Sequence, residues 1–281
     1  MADQTQNPLN KYFRQPQMHL KLPSAGQWYA AGSIEMPVTG EVPIYAMTAK
    51  DELTAKTPDA LLNGQSTVEV IASCCPAIKD PWKMPVVDLD AILIALRIAT
   101  YGNEMEFVSV CPHCGSKNEH TANLGHFLEQ ITCPDFATTV KVDQFEIFIK
   151  PQTYYDVNKS SLQTYEEQRL LSVVQNETMD EEVKLAKFNK LFRSVLNMTI
   201  NSVAKNVAAI KTEAGDVVED EAFISEFFSN CDRSVWNAVR DRIKELNDGN
   251  SLKNIPVACD NEDCKKPYAT PLMFELSSFF V

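Results

Sequence analysis

Three observations in the sequence predict an α+β fold, in which a helical N-terminal part and a helical insert are joined by two short hairpins that carry paired cysteines. Residues 88–102 (DLDAILIALRIATYG) are apolar almost all round, as in a helix that is buried on most sides. Residues 153–175 and 180–197 have the pattern of long helices. Short alternating segments flank both cysteine pairs and fill residues 137–150, as in β-hairpins.

The composition is that of a folded protein with room for one large core or two modest ones. The chain has 281 residues, of which 44% are hydrophobic and 23% are charged. Its formal net charge of −12 argues against a protein that coats nucleic acid, because phosphate binding needs clustered Lys and Arg. The N-terminus lacks the apolar core of a signal peptide, and the longest apolar run, Ala91–Ala99, is broken by Arg97 and is too short to cross a bilayer. We therefore expect a protein made in a cytosol, with neither membrane nor nucleic acid as a partner.

The N-terminal part begins with a polar segment and continues with three helices. Residues 1–21 show no periodicity, so we expect an arm that becomes ordered only when a partner holds it. Thr48, with Asp51 three residues later, predicts a capping-box start for the first helix. Ser66 is expected to cap the second helix, and the third ends at Gly102, which suits the position after a helix.

The region after the first cysteine pair has the pattern of a separate α/β insert. Residues 203–218 predict a hairpin that turns at Ala214-Gly215-Asp216, followed by helices at about 220–230 and 232–246. The 180–197 helix carries an apolar stripe at helical spacing, made of Val183, Leu185, Phe188, Leu191, Phe192, Val195 and Leu196. The sequence thus divides into an extended arm (1–21), a mainly helical domain (22–104), a ribbon (105–124 with 255–281) and an insert domain (125–254).

Two cysteine pairs give the strongest signal in the chain. Cys111 and Cys114 are two residues apart and followed by Gly115, whose freedom to adopt a positive φ suits a metal-binding turn. Cys259 and Cys264 have four residues between them, a spacing also found in zinc sites. Four thiolates close the coordination shell of zinc, so we predict one structural zinc ion per chain. The 144 residues between the pairs indicate that the insert projects from the ribbon.

Other roles for these and the remaining cysteines stay open at the level of sequence. The two pairs could be unrelated thiols, and disulfides are disfavoured because cytosolic thiols are kept reduced. His113 could replace a thiolate, although it and His120 are expected to point to solvent. Four further cysteines are expected to be inert core residues, with a second metal or redox role as the alternative: Cys74, Cys75, Cys133 and Cys231.

No arrangement of residues predicts catalysis. The sequence has no Gly-rich phosphate loop, no Gly-x-Ser-x-Gly elbow and no His-Glu-x-x-His helix. Asp88 and Asp90 resemble a carboxylate pair, but they stand at a helix N-terminus, where the helix dipole favours acidic residues. His126 is expected to have a capping or surface role. We therefore expect a protein that is not an enzyme.

Residues 20–125 resemble the T4-type bacteriophage baseplate hub subunit family. The matching segments are Leu22-Pro23-Ser24-x-Gly26-x-x-Tyr29, Val42-Pro43-Ile44-Tyr45-x-Met47-Thr48-Ala49-Lys50-Asp51-Glu52, Lys56-Thr57-Pro58-Asp59-Ala60-Leu61-Leu62-Asn63-Gly64, the 88–100 helix with Arg97 followed by Tyr101-Gly102, and the Cys111–Cys114 turn. Each match is short, and the shared order of the segments carries the resemblance.

The resemblance implies an assembly protein of a contractile phage tail that acts through protein–protein contacts. Its partners would be other baseplate or tail hub proteins, in a multimeric assembly, and it would be found in the host cytoplasm during assembly and then in the virion baseplate. The alternative is a nucleic-acid-associated zinc-ribbon adaptor, which the absence of a basic face disfavours.

Overall fold

The computed structural model describes residue 9 and residues 12–57, 64–176, 181–250 and 255–270, and the statements below concern these residues. They form an α+β fold, as the sequence predicts, with two large hydrophobic cores and a small third cluster around Cys111, Cys259 and Tyr268. Parts of several predicted segments lie outside the described residues, namely 1–8, 10 and 11 of the arm, 58–63 of the family resemblance, 177–180 and 251–254 of the insert, and 271–281 of the ribbon.

The first core is built around one buried helix. Its elements are β1 (Pro16–Leu20), β2 (Val42–Tyr45), α1 (Ala49–Ala55), α2 (Gln65–Cys74), two 3-10 turns (Pro81–Lys83 and Val86–Asp88) and α3 (Leu89–Tyr101). Every residue from Ala91 to Arg97 in α3 is buried, which confirms the expectation from its all-round apolar pattern. The helix ends at Tyr101 and is capped by Gly102, whose φ of 92° is one that residues with a Cβ rarely adopt.

The predicted helix starts have different outcomes. Thr48 and Asp51 form a complete capping box at the start of α1, as predicted. The cap predicted at Ser66 is wrong, because α2 begins at Gln65 and its N-cap is Gly64. Gly64 has a φ of 74°, and a Cβ there would lie 2.5 Å from the Asn158 side chain, so this start depends on glycine and on tertiary packing.

Part of the predicted arm is ordered by this chain itself. Strand β1 pairs antiparallel with β2, with Leu20 opposite Val42 and Met18 opposite Ile44. Leu20 is buried in the first core, and Met18 packs against it. The expectation that only a partner orders residues 1–21 is therefore wrong for 16–20, because their alternating apolar side chains find a place in the core.

Arg14 fastens the segment that precedes β1. Its guanidinium donates hydrogen bonds to the backbone oxygens of Ala46 (2.5 Å) and Ser73 (2.6 Å), and it forms an ion pair with Asp51 (3.2 Å). Burial on its own raises the pKa of Asp51, but hydrogen bonds from Thr48 and Ser73 and the charge of Arg14 together hold it below its usual value.

Asp88 has a different role from the one that its position in the sequence indicates. It is fully buried, and its carboxylate accepts hydrogen bonds from the Ser24 N–H (2.8 Å), the Ser24 hydroxyl (2.5 Å) and the Tyr29 hydroxyl (3.0 Å). Burial raises the pKa of Asp88. Asp88 thus holds the loop after β1 against the start of α3, which a dipole argument alone does not predict.

Two antiparallel strand pairs carry the cysteine turns. Strand β3 (Glu104–Val110) pairs with β4 (Lys117–Asn123), and β9 (Ile255–Ala258) pairs with β10 (Pro267–Thr270). Helix α4 (Leu124–Gln130) follows β4 and packs on the first core, although the sequence analysis assigned residues 125–130 to the insert.

The second core joins a sheet to helices. The four strands are antiparallel in the order β5 (Val140–Val142), β6 (Phe145–Ile149), β7 (Val207–Thr212) and β8 (Val217–Val218). Helices α6 (Glu181–Lys205), α7 (Glu221–Asn230) and α8 (Arg233–Asn250) contribute side chains to this core, whereas α5 (Tyr154–Asn176) begins at Tyr154 in the first core. Ile147, Phe228 and Val239 are buried where the sheet meets α7 and α8. Asp220 caps α7 by accepting hydrogen bonds from the backbone of Ala222 and Phe223.

Candidate metal centre

The structure brings together the four cysteines that the sequence analysis selects as ligands. Cys111 and Cys114 lie in the turn between β3 and β4, and Cys259 and Cys264 lie in the turn between β9 and β10. Their four Sγ atoms all lie within 4.8 Å of one another. Across the two turns, Cys114 is 3.5 Å from Cys259 and Cys111 is 3.9 Å from Cys264.

The first turn owes its shape to short-range hydrogen bonds. The Cys111 N–H donates to the Ser116 oxygen at 2.9 Å, and the Gly115 N–H donates to the Cys111 oxygen at the same distance. Gly115 has a φ of 74°, as the sequence argument requires of the residue after the second cysteine. This backbone turns both thiols of the pair towards the same point.

The second turn repeats this geometry without a glycine. The Cys259 N–H donates to the Lys266 oxygen at 3.1 Å, and the Lys265 N–H donates to the Asn261 oxygen at 3.1 Å. Lys265 follows the second cysteine of its pair and has a φ of 44°, which costs a residue with a Cβ roughly 1 kcal/mol. The surrounding contacts hold this turn in its shape despite that cost.

The thiol arrangement fits a tetrahedral metal ion. Zinc–sulfur bonds of about 2.3 Å place the sulfurs of a tetrahedral site about 3.8 Å apart, and the two separations across the turns lie on either side of that value. Cys111 and Cys259 are 1% and 3% exposed, whereas Cys114 faces solvent. A set of four sulfurs suits zinc and leaves no coordination position open for water.

The thiols differ in how readily they ionise. The hydroxyl and backbone N–H of Ser116 lower the pKa of Cys114 to about 6, so that its thiolate is present at neutral pH. Burial raises the pKa of Cys259 to about 12. A divalent cation between the sulfurs would offset the repulsion of neighbouring thiolates, which is the condition for all four to act as ligands.

A hydrogen-bonded group around Tyr268 supports the cluster. The Tyr268 hydroxyl lies 2.5 Å from the Ser109 hydroxyl, 3.1 Å from the Asn118 amide nitrogen and 3.2 Å from Nε2 of His120. Ser109, Asn118 and Tyr268 are buried. This group could not be found from the sequence, where its only local signal is the alternation that turns these residues to one side of their strands.

Further hydrogen bonds connect the two turns directly. The Asp260 N–H donates to Oδ1 of Asn118 at 2.8 Å, and the Asn261 amide donates to the Ser116 hydroxyl at 2.9 Å. The second hairpin is therefore docked on the first by polar contacts as well as by the position of the thiols.

The histidines and the other cysteines lie outside the cluster. His113 is exposed, in agreement with the sequence argument, whereas the expectation for His120 is wrong, because its ring is half-buried against Tyr268 and Phe107. Four cysteines are not part of the group, two of them buried in the first core and two half-buried: Cys74, Cys75, Cys133 and Cys231. Within the described ranges, the four thiols are the one group whose geometry suits a metal ion.

Four thiols that could together fill the coordination shell of one ion are typical of structural metal sites, as distinct from catalytic ones. Residues 15–281 match the sequence model of the T4 bacteriophage base plate protein family, and the chain belongs to this family. It is therefore a structural protein of a phage baseplate, which places it in the virion tail. The match extends well beyond residues 20–125 and includes the insert, for which the sequence analysis found no family pattern.

The other comparisons add no further relative. No curated protein matches the chain, and no solved structure matches it. Among the helices of the described residues, none is both long enough and apolar enough to cross a bilayer.

Proposed function

We propose that this chain is a subunit of the baseplate hub, where it acts through contacts with other baseplate or tail hub proteins and not as an enzyme. Family membership supports a structural role, and the segments that match the hub subunit pattern between residues 20 and 125 support the position at the hub. In this proposal the protein is made in the host cytoplasm and assembles there with its partners into a multimer.

We further propose that one zinc ion per chain is bound by Cys111, Cys114, Cys259 and Cys264. The observation that carries this proposal is the approach of four sulfurs, from turns 144 residues apart, to separations that suit tetrahedral zinc. The ion would link the ribbon formed by 105–124 and 255–281 and fix the two ends of the insert relative to each other.

The insert has a second attachment, which explains what the zinc would add. The Tyr154 N–H donates to the Met84 oxygen at 2.8 Å, the Val86 N–H donates to the Gln152 oxygen at 2.9 Å, and Trp82 stacks on Tyr154. These contacts hold the start of α5 against the first core. A metal cross-link at the hairpins would supply the second fixed point, so that the insert keeps one orientation in the assembly.

Elemental analysis of the purified chain tests the metal. We expect close to one equivalent of zinc per chain after purification in metal-free buffers. A preparation that is folded and contains no zinc would refute the site.

One experiment on the phage tests the hub assignment, and a second tests whether the proposed metal ligands are needed for function. A mass-spectrometric inventory of purified virions and of separated baseplate sub-assemblies should place the chain in the hub fraction. In a phage defective in this gene, complementation with Cys231→Ala should restore plaque yield, whereas Cys264→Ser should restore little. Complete hubs assembled without the protein, or its presence in outer baseplate parts alone, would contradict the assignment.

A further inference from the structure

Helix α6 carries its apolar stripe on an exposed face. Leu185, Phe188 and Phe192 are 62%, 51% and 61% exposed, and Val195 and Leu196 are also exposed. The spacing of three and four residues places these side chains on one side of the helix over about 17 Å. Among the described side chains of α6, those that belong to the second core lie at its C-terminal end, near Val203. Isolated exposed apolar residues are ordinary, but a continuous stripe of this size marks an interaction surface.

A groove runs beside the stripe, between α5 and α6. Its volume is about 410 Å³. The side formed by α6 is mainly apolar, and the side formed by α5 is polar. The lining includes Leu191, Val195 and Met198 from α6, and Ser160, Thr164 and Gln168 from α5. The apolar side chains of a third helix would fill this space, as in other complexes in which a helix binds a groove.

The charge of α6 differs from that of the whole chain. Helix α6 begins with Glu181 and Glu182, but from Val183 to Lys205 it has five basic residues and no acidic one, whereas the net charge of the chain is −12. Of these five, Lys205 is already paired with Asp156. Within the described part of the chain, neither Lys190 nor Arg193 forms an ion pair. A partner with carboxylates beside its apolar residues would complement this helix.

We propose that the exposed stripe of α6, with the groove beside it, binds an acidic amphipathic helix of a partner protein. A second copy of this chain fits less well, because it would bring the same basic helix to the contact. A bilayer surface also fits less well, because lipids cannot fill a groove between two helices that is polar on one side. The partner helix would span about three turns of α6 and place its acidic residues along the margins of the stripe.

The test uses two fluorescent peptides of 21 residues and the full purified chain. Both peptides have Leu at the a and d positions of three heptads. The acidic peptide has Glu at e and g, and the basic peptide has Lys there. We expect fluorescence anisotropy to show that the acidic peptide binds about tenfold more tightly at low salt, with a preference that shrinks as salt rises.

Variants separate the apolar part of the surface from the charged part. Phe188→Ser with Phe192→Ser should abolish binding of the acidic peptide without changing the melting temperature, because both rings are exposed. Leu53→Ser, which alters a comparably exposed residue on α1, should bind as the parent does. Lys190→Glu with Arg193→Glu should retain binding and lose the preference for the acidic peptide.

Four outcomes would overturn the proposal. Two concern the peptides: either both bind equally, or neither binds. In the third, the parent forms a dimer that the Phe188→Ser, Phe192→Ser variant does not form. In the fourth, the parent binds anionic phospholipid vesicles and the same variant does not. The measurement uses the isolated protein, so its result is independent of whether the chain is a hub subunit.

Discussion

Replacement of one ligand, Cys264→Ser, gives the sharpest test of the cross-link. A metal bound to all four thiols closes a loop with 144 residues between Cys114 and Cys259. For a fully unfolded chain, the entropy of closing such a loop corresponds to about 5 kcal/mol. The insert also has its own core, which extends from Phe136 to Leu246. If the insert stays folded, the flexible part of the loop is only roughly 30 residues long, and the contribution of the metal link to the free energy of unfolding falls to about 4 kcal/mol.

Loss of this link should be visible in both metal content and melting. A change of about 4 kcal/mol is a large part of the stability of most domains and lowers the melting temperature by about 10 °C. We expect Cys264→Ser to bind well below one zinc per chain and to melt early by circular dichroism. The parent treated with a zinc chelator should melt as the variant does, because metal binding and folding are coupled.

Cys231→Ala is the matched control, since Cys231 is a half-buried thiol outside the cluster. It should keep one zinc per chain and melt near the temperature of the parent. A Cys264→Ser protein that retains a full equivalent of zinc and melts with the parent would show that the ligand assignment is wrong.

Four further predictions concern the first core and the support of the cluster. Leu93→Asp should prevent soluble expression, because an unpaired buried charge costs several kcal/mol. The control Leu53→Asp, on an exposed face of α1, should stay soluble. A soluble, folded Leu93→Asp protein would contradict the buried position of α3. Arg14→Ala should lower the unfolding free energy by about 1–3 kcal/mol in urea titrations, and an unchanged midpoint would mean that its hydrogen bonds do not anchor the N-terminal segment. Tyr268→Phe should cost about 1–3 kcal/mol and leave zinc content unchanged; loss of zinc would show that Tyr268 is needed to position the thiols. The pKa of Asp51 is lowered in the folded protein, so ionised Asp51 stabilises the fold above the unfolded-state pKa. This stabilisation should be lost as the pH falls below about 4. In thermal melts from pH 7 to pH 3, Asp51→Asn should make the stability of the protein depend less on pH.

Features governed by near neighbours could be predicted from the sequence. The capping box of Thr48 and Asp51 depends on residues three apart, and Gly115 depends on the backbone of its own turn. The pairing of β3 with β4 follows from alternation on both sides of one short turn. In each case the contacts that stabilise the element lie within the segment, so that its pattern contains the necessary information.

Features governed by distant partners could not be predicted. Residues 16–20 form a strand because β2 offers an edge and the core has space for Leu20. Ser66 is buried in a helix that begins one residue earlier, at Gln65, after the N-cap Gly64, which is packed against Asn158. His120 is turned inward by Tyr268, a residue 148 positions away.

The sequence by itself determined that two cysteine pairs have ligand spacing, that α3 is apolar on nearly every side, and that α6 carries a stripe at helical period. Only the tertiary structure decided that the two pairs meet at bonding distances and that the stripe of α6 faces outward. The physical reason is that spacing fixes which side chains share a turn or a face, whereas burial depends on what the rest of the chain places against that face. The apolar residues of α3 are therefore enclosed in the first core, whereas those of the α6 stripe lie on the surface.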